Sequence, residues 1–334
     1  MIRALLSGDL PRSRALGALL VVLLVALAAA PFLFPGTRSL NVAAKVSVFI
    51  LLAASYDLLL GYTGIVSFAH TMFFGIGGYG VAIAAARLGP TWPNLALGIA
   101  AALLAAVAIA FVVGLLSLRV RAIFFAMITL AVAAFFQILA SQLSAFTGGE
   151  DGLNFRLPAL LQGRLSAYYA VFLAALALFL LLLRVVNSPF GRVLQAVREN
   201  ELRAEALGYR TVIYRTAANC LGAATATAAG ALYAMWLRYT GPDTTLSFSI
   251  MIDLLLMVVI GGMGTMYGAA LGAALFVVAQ NYLQDLMKLA SGATQGLPLL
   301  PTLLHPDRWL LWLGVLFILC VYYFPTGIVG RLRR

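Results

Sequence analysis

Ten stretches of mostly apolar residues, divided by charged or Pro/Gly breaks, follow one another along this chain. They fall at roughly 16–34, 41–60, 65–86, 94–118, 122–146, 167–186, 216–236, 250–266, 268–287 and 308–324. A helix needs about 20 such residues to cross a bilayer. Within lipid it must satisfy its own backbone N–H and C=O groups, since no water is there to do so. The pattern predicts an all-α polytopic membrane protein: a single transmembrane domain over 1–334 with about ten helices (eight to ten). The runs at 65–86, 250–266 and 268–287 are interrupted by Gly and short polar residues and read as broken helices. Composition removes the alternatives. Of 334 residues, 63% are hydrophobic and 10% charged, against about 45–50% and about 25% in soluble domains. So few polar side chains cannot cover a water-facing surface, and disorder needs the opposite balance.

The net charge of +11 comes from 22 Lys+Arg and 11 Asp+Glu. In a membrane chain this reads as the excess of cations in cytoplasmic loops, not as nucleic-acid binding. With the N-terminus inside, about two thirds of the cations fall on inner segments. They include Arg12, Arg14, Arg119, Arg121, Arg192, Arg203, Arg210, Arg215, Arg333 and Arg334, whereas Arg38, Lys45, Arg87 and Arg238 fall on outer edges. Both termini are then cytoplasmic, which requires an even number of spans. The basic N-terminus followed by Ala28-Ala29-Ala30 resembles a cleavable signal, but the apolar run continues to Phe34 and is long enough to span. The first helix is therefore expected to be retained.

Several chemistries are not expected. The only lysines are Lys45, after Ala44, and Lys288, after Met287. A phosphate-binding loop needs Gly-Lys-Ser/Thr, so this chain has none. Cys220, Cys320, His70 and His305 lack metal-ligand spacing, and no disulfide framework is suggested. No nucleophile elbow or Ser/His/Asp arrangement is present. The chain reads as binding no metal or cofactor and catalysing no reaction.

Two segments are polar enough to lie outside the bilayer: 147–166, on the expected outer side, and 187–215, on the inner side. In the second, Ser188-Pro189 reads as a helix start. Phe190, Val193, Leu194 and Val197 follow at the spacing of one apolar face. Arg192, Gln195 and Glu199 lie opposite, Glu199 and Arg203 are four apart in the favourable order, and Gly208 stands where positive φ would end the helix. The segment is one amphipathic helix, or two short ones breaking near Asn200. It either lies at the lipid headgroups or docks a soluble partner, and its mixed Arg/Glu charge favours docking.

Gly75-Ile76-Gly77-Gly78-Tyr79-Gly80 matches G-x-G-x-x-G, but no strand–turn–helix unit surrounds it. Inside a membrane run, such glycines permit close helix packing or an unwound stretch lining a path; Gly261 and the series Gly264, Gly268, Gly272 read the same way. Ionisable residues within spans are costly and therefore functional candidates. They are Asp57, near the inner end of the second run, Asp253, near the outer start of the eighth, and His70, beside Ser67. Together with Gly75, Gly77, Gly261 and Gly264, the residues Asp57, Ser67 and His70 are the candidates for a translocation path.

These pieces resemble one family. Ser67-Phe68-Ala69-His70 with Phe73-Phe74-Gly75-Ile76-Gly77-Gly78-Tyr79, and then Phe124–Ala131, are similar to the branched-chain amino acid ABC permeases of the LivM type. The same holds for Thr147-Gly148-Gly149-Glu150-Asp151-Gly152-Leu153, Gly230-Ala231-Leu232-Tyr233, Gly261-Gly262-Met263-Gly264-Thr265 and Phe324-Pro325-Thr326-Gly327-Ile328. Gly191-Arg192, Arg198-Glu199-Asn200-Glu201 and Ala204-Glu205-Ala206-Leu207-Gly208 match that family's coupling segment. The similarity covers about 40–330.

The resemblance implies a type II ABC importer-like permease of the bacterial inner membrane. It implies a homologous second permease subunit (LivH-like), two cytoplasmic ATPases (LivG- and LivF-like) that use ATP and Mg, and an extracytoplasmic binding protein. The ATPases would meet Arg192, Arg198, Glu199, Asn200, Glu201, Ala204, Glu205 and Gly208. The binding protein would meet Gly148, Gly149, Glu150 and Asp151. Urea, short-amide and aromatic-acid permeases share the pattern. An ion-coupled secondary transporter using His70, Asp57 and Asp253 as a relay, and a membrane scaffold, are the readings from other classes.

Overall fold

The computed structural model of the chain describes residues 13–33, 36–117, 122–293, 305–324 and 327–332. Arg12, Arg119, Arg121, Arg333, Arg334 and the Pro325-Thr326 pair lie outside the described residues. Ten long helices occupy the ten apolar runs: α1 (Arg14–Leu33), α2 (Thr37–Thr63), α3 (His70–Arg87), α4 (Trp92–Ser117), α5 (Ala122–Gln142), α6 (Arg164–Val186), α9 (Thr211–Leu237), α10 (Phe248–Gly261), α11 (Met266–Ala293) and α12 (Trp309–Tyr323). Between α6 and α9 lie the short α7 (Pro189–Glu199) and α8 (Glu201–Ala206), and α13 (Gly327–Leu332) ends the described chain. Among the described residues, eight helices are long and apolar enough to cross a membrane. The two long helices that fall short are α3 and α12.

The third run departs from the expected 65–86. Helix α2 ends where Gly64 takes φ +73°, and residues 64–69 are not helical, so α3 starts only at His70. The fifth helix stops at Gln142, and a separate turn, Ser144–Thr147, follows it.

Helix α2 forms the centre. Val48, Leu51, Leu52, Ala53, Ala54, Leu58 and Leu59 are fully enclosed, and α2 packs against α9, α11, α6 and α10. A helix surrounded by protein can carry Ser47, Ser55, Tyr56 and Asp57, which lipid would not tolerate. The second hub, α9, packs against α3, α4 and α2. Its contact with α3 is at backbone distance. A Cβ on Gly77 would strike the Thr227 carbonyl, and one on Gly230 the Phe74 carbonyl. Helices α10 and α11 meet the same way at Gly261, Gly268 and Gly272. Small residues let helices approach closely where lipid supplies no hydrophobic drive. Gly77→Val should therefore force α3 from α9. Overpacking costs about 1–3 kcal/mol, so the melting temperature of the detergent-purified protein should fall by about 5 °C. An unchanged melting curve would contradict the contact.

The periphery is apolar and exposed. Ile123, Phe124, Met127, Phe135 and Ile138 of α5, and Leu310, Leu311, Ile318 and Leu319 of α12, face outward, as lipid contact requires. Helix α1 is pinned by tyrosines of α6: Tyr168 Oη donates to the Leu27 carbonyl at 2.6 Å and Tyr169 Oη to that of Ala28 at 3.0 Å.

One element was not foreseen. Leu153–Asn154 (β1) pairs antiparallel with Tyr239–Thr240 (β2), Leu153 opposite Thr240 and Asn154 opposite Tyr239. This ribbon ties the loop after α5 to the end of α9.

Candidate functional site

Segment 187–215 is two helices, because Asn200 turns extended (φ −158°, ψ 101°) and caps the second with its side chain, Oδ1 accepting from Arg203 N at 2.9 Å. The break separates Glu199 from Arg203, so the expected i,i+4 pair does not form. Ser188 does not cap α7 either: its hydroxyl donates to the Val185 carbonyl at 2.6 Å, while Pro189 takes the first helical position. The apolar face packs inward as its spacing required, with Leu194 and Val197 buried and Phe190 stacked on Tyr214 at 5.8 Å. Gly208 closes α8 at φ +91°, with Tyr209 N donating to the Ala204 carbonyl at 3.1 Å.

The charges of this segment divide in two. Arg192, Arg198, Glu199, Asn200, Glu205 and Gly208 are exposed, and Leu202 and Leu207 stand out at 79% and 72% exposure. Leu202 belongs to the helix after Asn200 and Leu207 caps its end, both outside the apolar stripe read from α7. Exposed or not, several groups of the segment are bonded back to the bundle. Ala204 is buried. Glu201 Oε1 holds Arg215 Nη1 at 2.5 Å, and Glu205 Oε1 accepts from Thr211 Oγ1 at 2.8 Å, which fastens α8 to the start of α9.

Arg198 reaches furthest. Its Nη1 donates to the Gly61 carbonyl in the last turn of α2. A Cβ on Gly61 would meet both Asp57 Oδ1 and Gly264 N, and one on Gly264 (φ +81°) would meet Arg198 Nη1. Asp57, fully buried, accepts from Gly264 N through Oδ1 at 2.9 Å. Its Oδ2 has no hydrogen-bond partner among the described residues, and Arg198 lies within electrostatic reach. One cluster thus joins three sequence-distant elements: the end of α7, the end of α2 and the turn between α10 and α11.

His70, the first residue of α3, is fully buried between Tyr56 (ring centroids 5.1 Å) and Phe73 (6.4 Å). Neither its ring nitrogens nor Tyr56 Oη has a hydrogen-bond partner among the described residues. Ser67 Oγ accepts from Ala69 N at 3.3 Å, and Phe68 N donates to Thr129 Oγ1 at 3.0 Å. Gly75 and Gly77 face Leu246 and Thr227 at close range. Asp253 lies apart from Asp57: it accepts from Gln280 Nε2 at 3.2 Å, about 12 Å along α10 from that helix's far end. Asp57, His70 and Asp253 thus each have different hydrogen-bond or ring partners.

At the opposite end, Gly148, Gly149 and Gly152 all have positive φ (+78°, +66°, +67°), and Glu150 and Asp151 are exposed on the turn between them. Thr147 Oγ1 donates to the Ala140 carbonyl at 2.6 Å, and Tyr239 Oη to that of Asp151 at 3.1 Å. A Cβ on Gly148 would collide with the Gly152 carbonyl, so the turn requires glycine there.

These features define a multi-pass helical membrane protein with an amphipathic segment wired into its core. The profile of the branched-chain amino acid transport system permease component family matches residues 38–321, and the chain belongs to that family. Its relatives include the high-affinity branched-chain amino acid transport system permease proteins LivM of Salmonella typhimurium and Escherichia coli. Each is 28% identical over 317 residues, spanning 86% of this chain and 73% of the relative. A probable LivM of Methanocaldococcus jannaschii is 31% identical over 206 residues, covering 59% of this chain and 53% of its own length. No solved structure matches the chain.

Proposed function

We propose that this chain is one of two homologous permease subunits of an ATP-binding-cassette importer, which carries branched-chain amino acids across the bacterial inner membrane. Both termini are cytoplasmic. The observation that carries the reading is α7–α8: amphipathic, charged outward, and bonded through Arg198 to the centre of the bundle. A surface helix serving only lipid anchorage needs no such internal bond. The chain supplies no phosphate-binding loop, so ATP and Mg act in two partner ATPases docked on Arg192, Glu199, Leu202 and Leu207. Movement of those subunits turns α7–α8, and Arg198 passes the displacement to α2 and the α10–α11 turn, a bistable arrangement of packed helices. The turn of Gly148 and Gly149, the latter buried, presents the exposed Glu150 and Asp151, which receive the binding protein.

The test is copurification. Tagged chain expressed with its genomic partners should retain the ATPases, and Leu202→Asp with Leu207→Asp should remove them. Each buried leucine contributes about 1.5–3 kcal/mol, so retention and ATP-driven leucine uptake should both fall by at least about tenfold. Full retention in the double variant would reject this docking surface, and uptake by the chain alone under a proton gradient would reject the ATP-driven class.

A further inference from the structure

At the end of the bundle opposite α7–α8, a cleft of about 330 Å³ opens between the start of α2, the end of α9 and the middle of α11. Arg38, Asn41, Lys45, Trp236, Tyr233 and Asn281 line it. That volume is at the small end of the range for ligand sites.

Lys45 is the unexpected member. It is half-buried in the third turn of a spanning helix, where an ammonium is costly and retained for a reason. Its Nζ donates to Gln280 Oε1 at 3.0 Å and lies 5.4 Å from the centre of the Phe49 ring. An ammonium has three protons, and the glutamine uses one. Gln280 is itself held by Asp253 at 3.2 Å, which fixes the direction of Lys45. Arg38 is similarly aimed, with Nη1 on Asp285 at 2.7 Å and Nη2 on the Asn281 carbonyl at 2.7 Å. Each cation therefore has a carboxylate behind it, and the cleft is locally positive but near neutral overall. Such a balance suits a zwitterion better than a lipid phosphate with net negative charge. The cleft's aromatic lining is Tyr233 and Trp236, and Tyr233 is backed by buried rings. Tyr233 stands edge-on to Phe49 at 5.9 Å and continues to Phe74 at 5.5 Å.

We propose that this cleft is a solute-recognition site of the permease itself, taking the carboxylate of a small aliphatic α-amino acid on Lys45 and its alkyl chain against Trp236 and Tyr233. The amino-acid class rests on the function proposed above; the site rests on the cleft. Along α2, Lys45, Phe49 and Tyr56 continue one helical stripe from the cleft toward Asp57, so the site stands at the head of the buried polar and aromatic column.

The test uses the assembled importer, without binding protein, in phosphatidylcholine nanodiscs. L-leucine methyl resonances should broaden on contact. 4-Methylpentanoate, which keeps the carboxylate, should compete, and leucinamide, which lacks it, should not. Lys45→Met should weaken the contact by at least about tenfold, the size of a lost charged hydrogen bond, and Lys45→Arg should restore most of it. Trp236→Ala, which leaves the charges in place, should weaken it independently and covers the case where Lys45→Met does not assemble. Broadening that ignores both positions overturns the site. So does Lys45-dependent retention of phosphatidylglycerol that displaces leucine, which would make the cleft a lipid site. ATP-driven uptake measured on the same preparation separates the two claims. Uptake that persists while leucine ignores the cleft rejects the cleft alone, and a chain that never assembles with ATPases rejects the function.

Discussion

Arg198→Met is expected to uncouple the importer: uptake falls at least about tenfold per ATP hydrolysed, while the ATPases stay bound and active. The guanidinium joins α7 to the Gly61 carbonyl of α2 and lies beside the Gly264 turn. A hydrogen bond from a charged donor contributes about 1.5–3 kcal/mol, which corresponds to about ten- to a hundredfold in an equilibrium between two arrangements. Methionine keeps much of the side-chain volume but cannot donate. The outward face, Arg192, Glu199, Leu202 and Leu207, is untouched, so docking should persist. Leucine uptake and phosphate release, measured together in proteoliposomes, decide the matter. An unaltered ratio of solute to ATP would show that the bond transmits nothing, and loss of the ATPases would show that Arg198 belongs to the docking surface instead.

The second large effect is on stability. Asp57→Ala removes the acceptor of Gly264 N and leaves that part-buried N–H unsatisfied, at about 1 kcal/mol or more. It also leaves a void at the end of α2, where Asp57 is fully enclosed, and cavities add to the loss. The melting temperature of the purified complex should drop by about 5–10 °C. Asp57→Asn keeps an oxygen at the same place and should recover most of the drop. Combining Asp57→Asn with Arg198→Met should give less than the sum of their separate effects on coupling, because neighbours in one cluster are not additive. A stable Asp57→Ala protein would remove the carboxylate from any structural part in the turn.

The sequence was informative where physics is local. Length and apolarity located all ten long helices, and the Asn200 alternative and the positive φ of Gly208 followed from capping rules. The late start of α3 was hidden, since Ile65 to Phe68 read as apolar as a helix would; the left-handed Gly64 that ends α2 is the feature that could have disclosed it. The two-residue ribbon was too short to leave a period. The site was legible as residue types but not as an arrangement. Arg198 reads as one more surface arginine, and although it stays exposed, only a contact 137 residues away shows that its guanidinium is bonded to α2. Leu202 and Leu207 carried no signal because a six-residue helix and its cap are too short for an apolar stripe. Lys45 was counted among the outer-edge cations, and its cleft exists only once α9 and α11 are placed beside α2.

Helix α9 runs unbroken for 27 residues, about 40 Å. Arg215 and Thr211 clasp α8 at one end, and the ribbon to β1 begins two residues past the other. A rod so anchored makes the two faces of the membrane mechanically legible to each other. On the function proposed above, tilting it at α8 would shift the Glu150–Asp151 turn, and a load placed on that turn would bear on α8. Since such coupling is reciprocal, a protein arriving from outside and a nucleotide bound within would each feel the other's presence through a single piece of secondary structure.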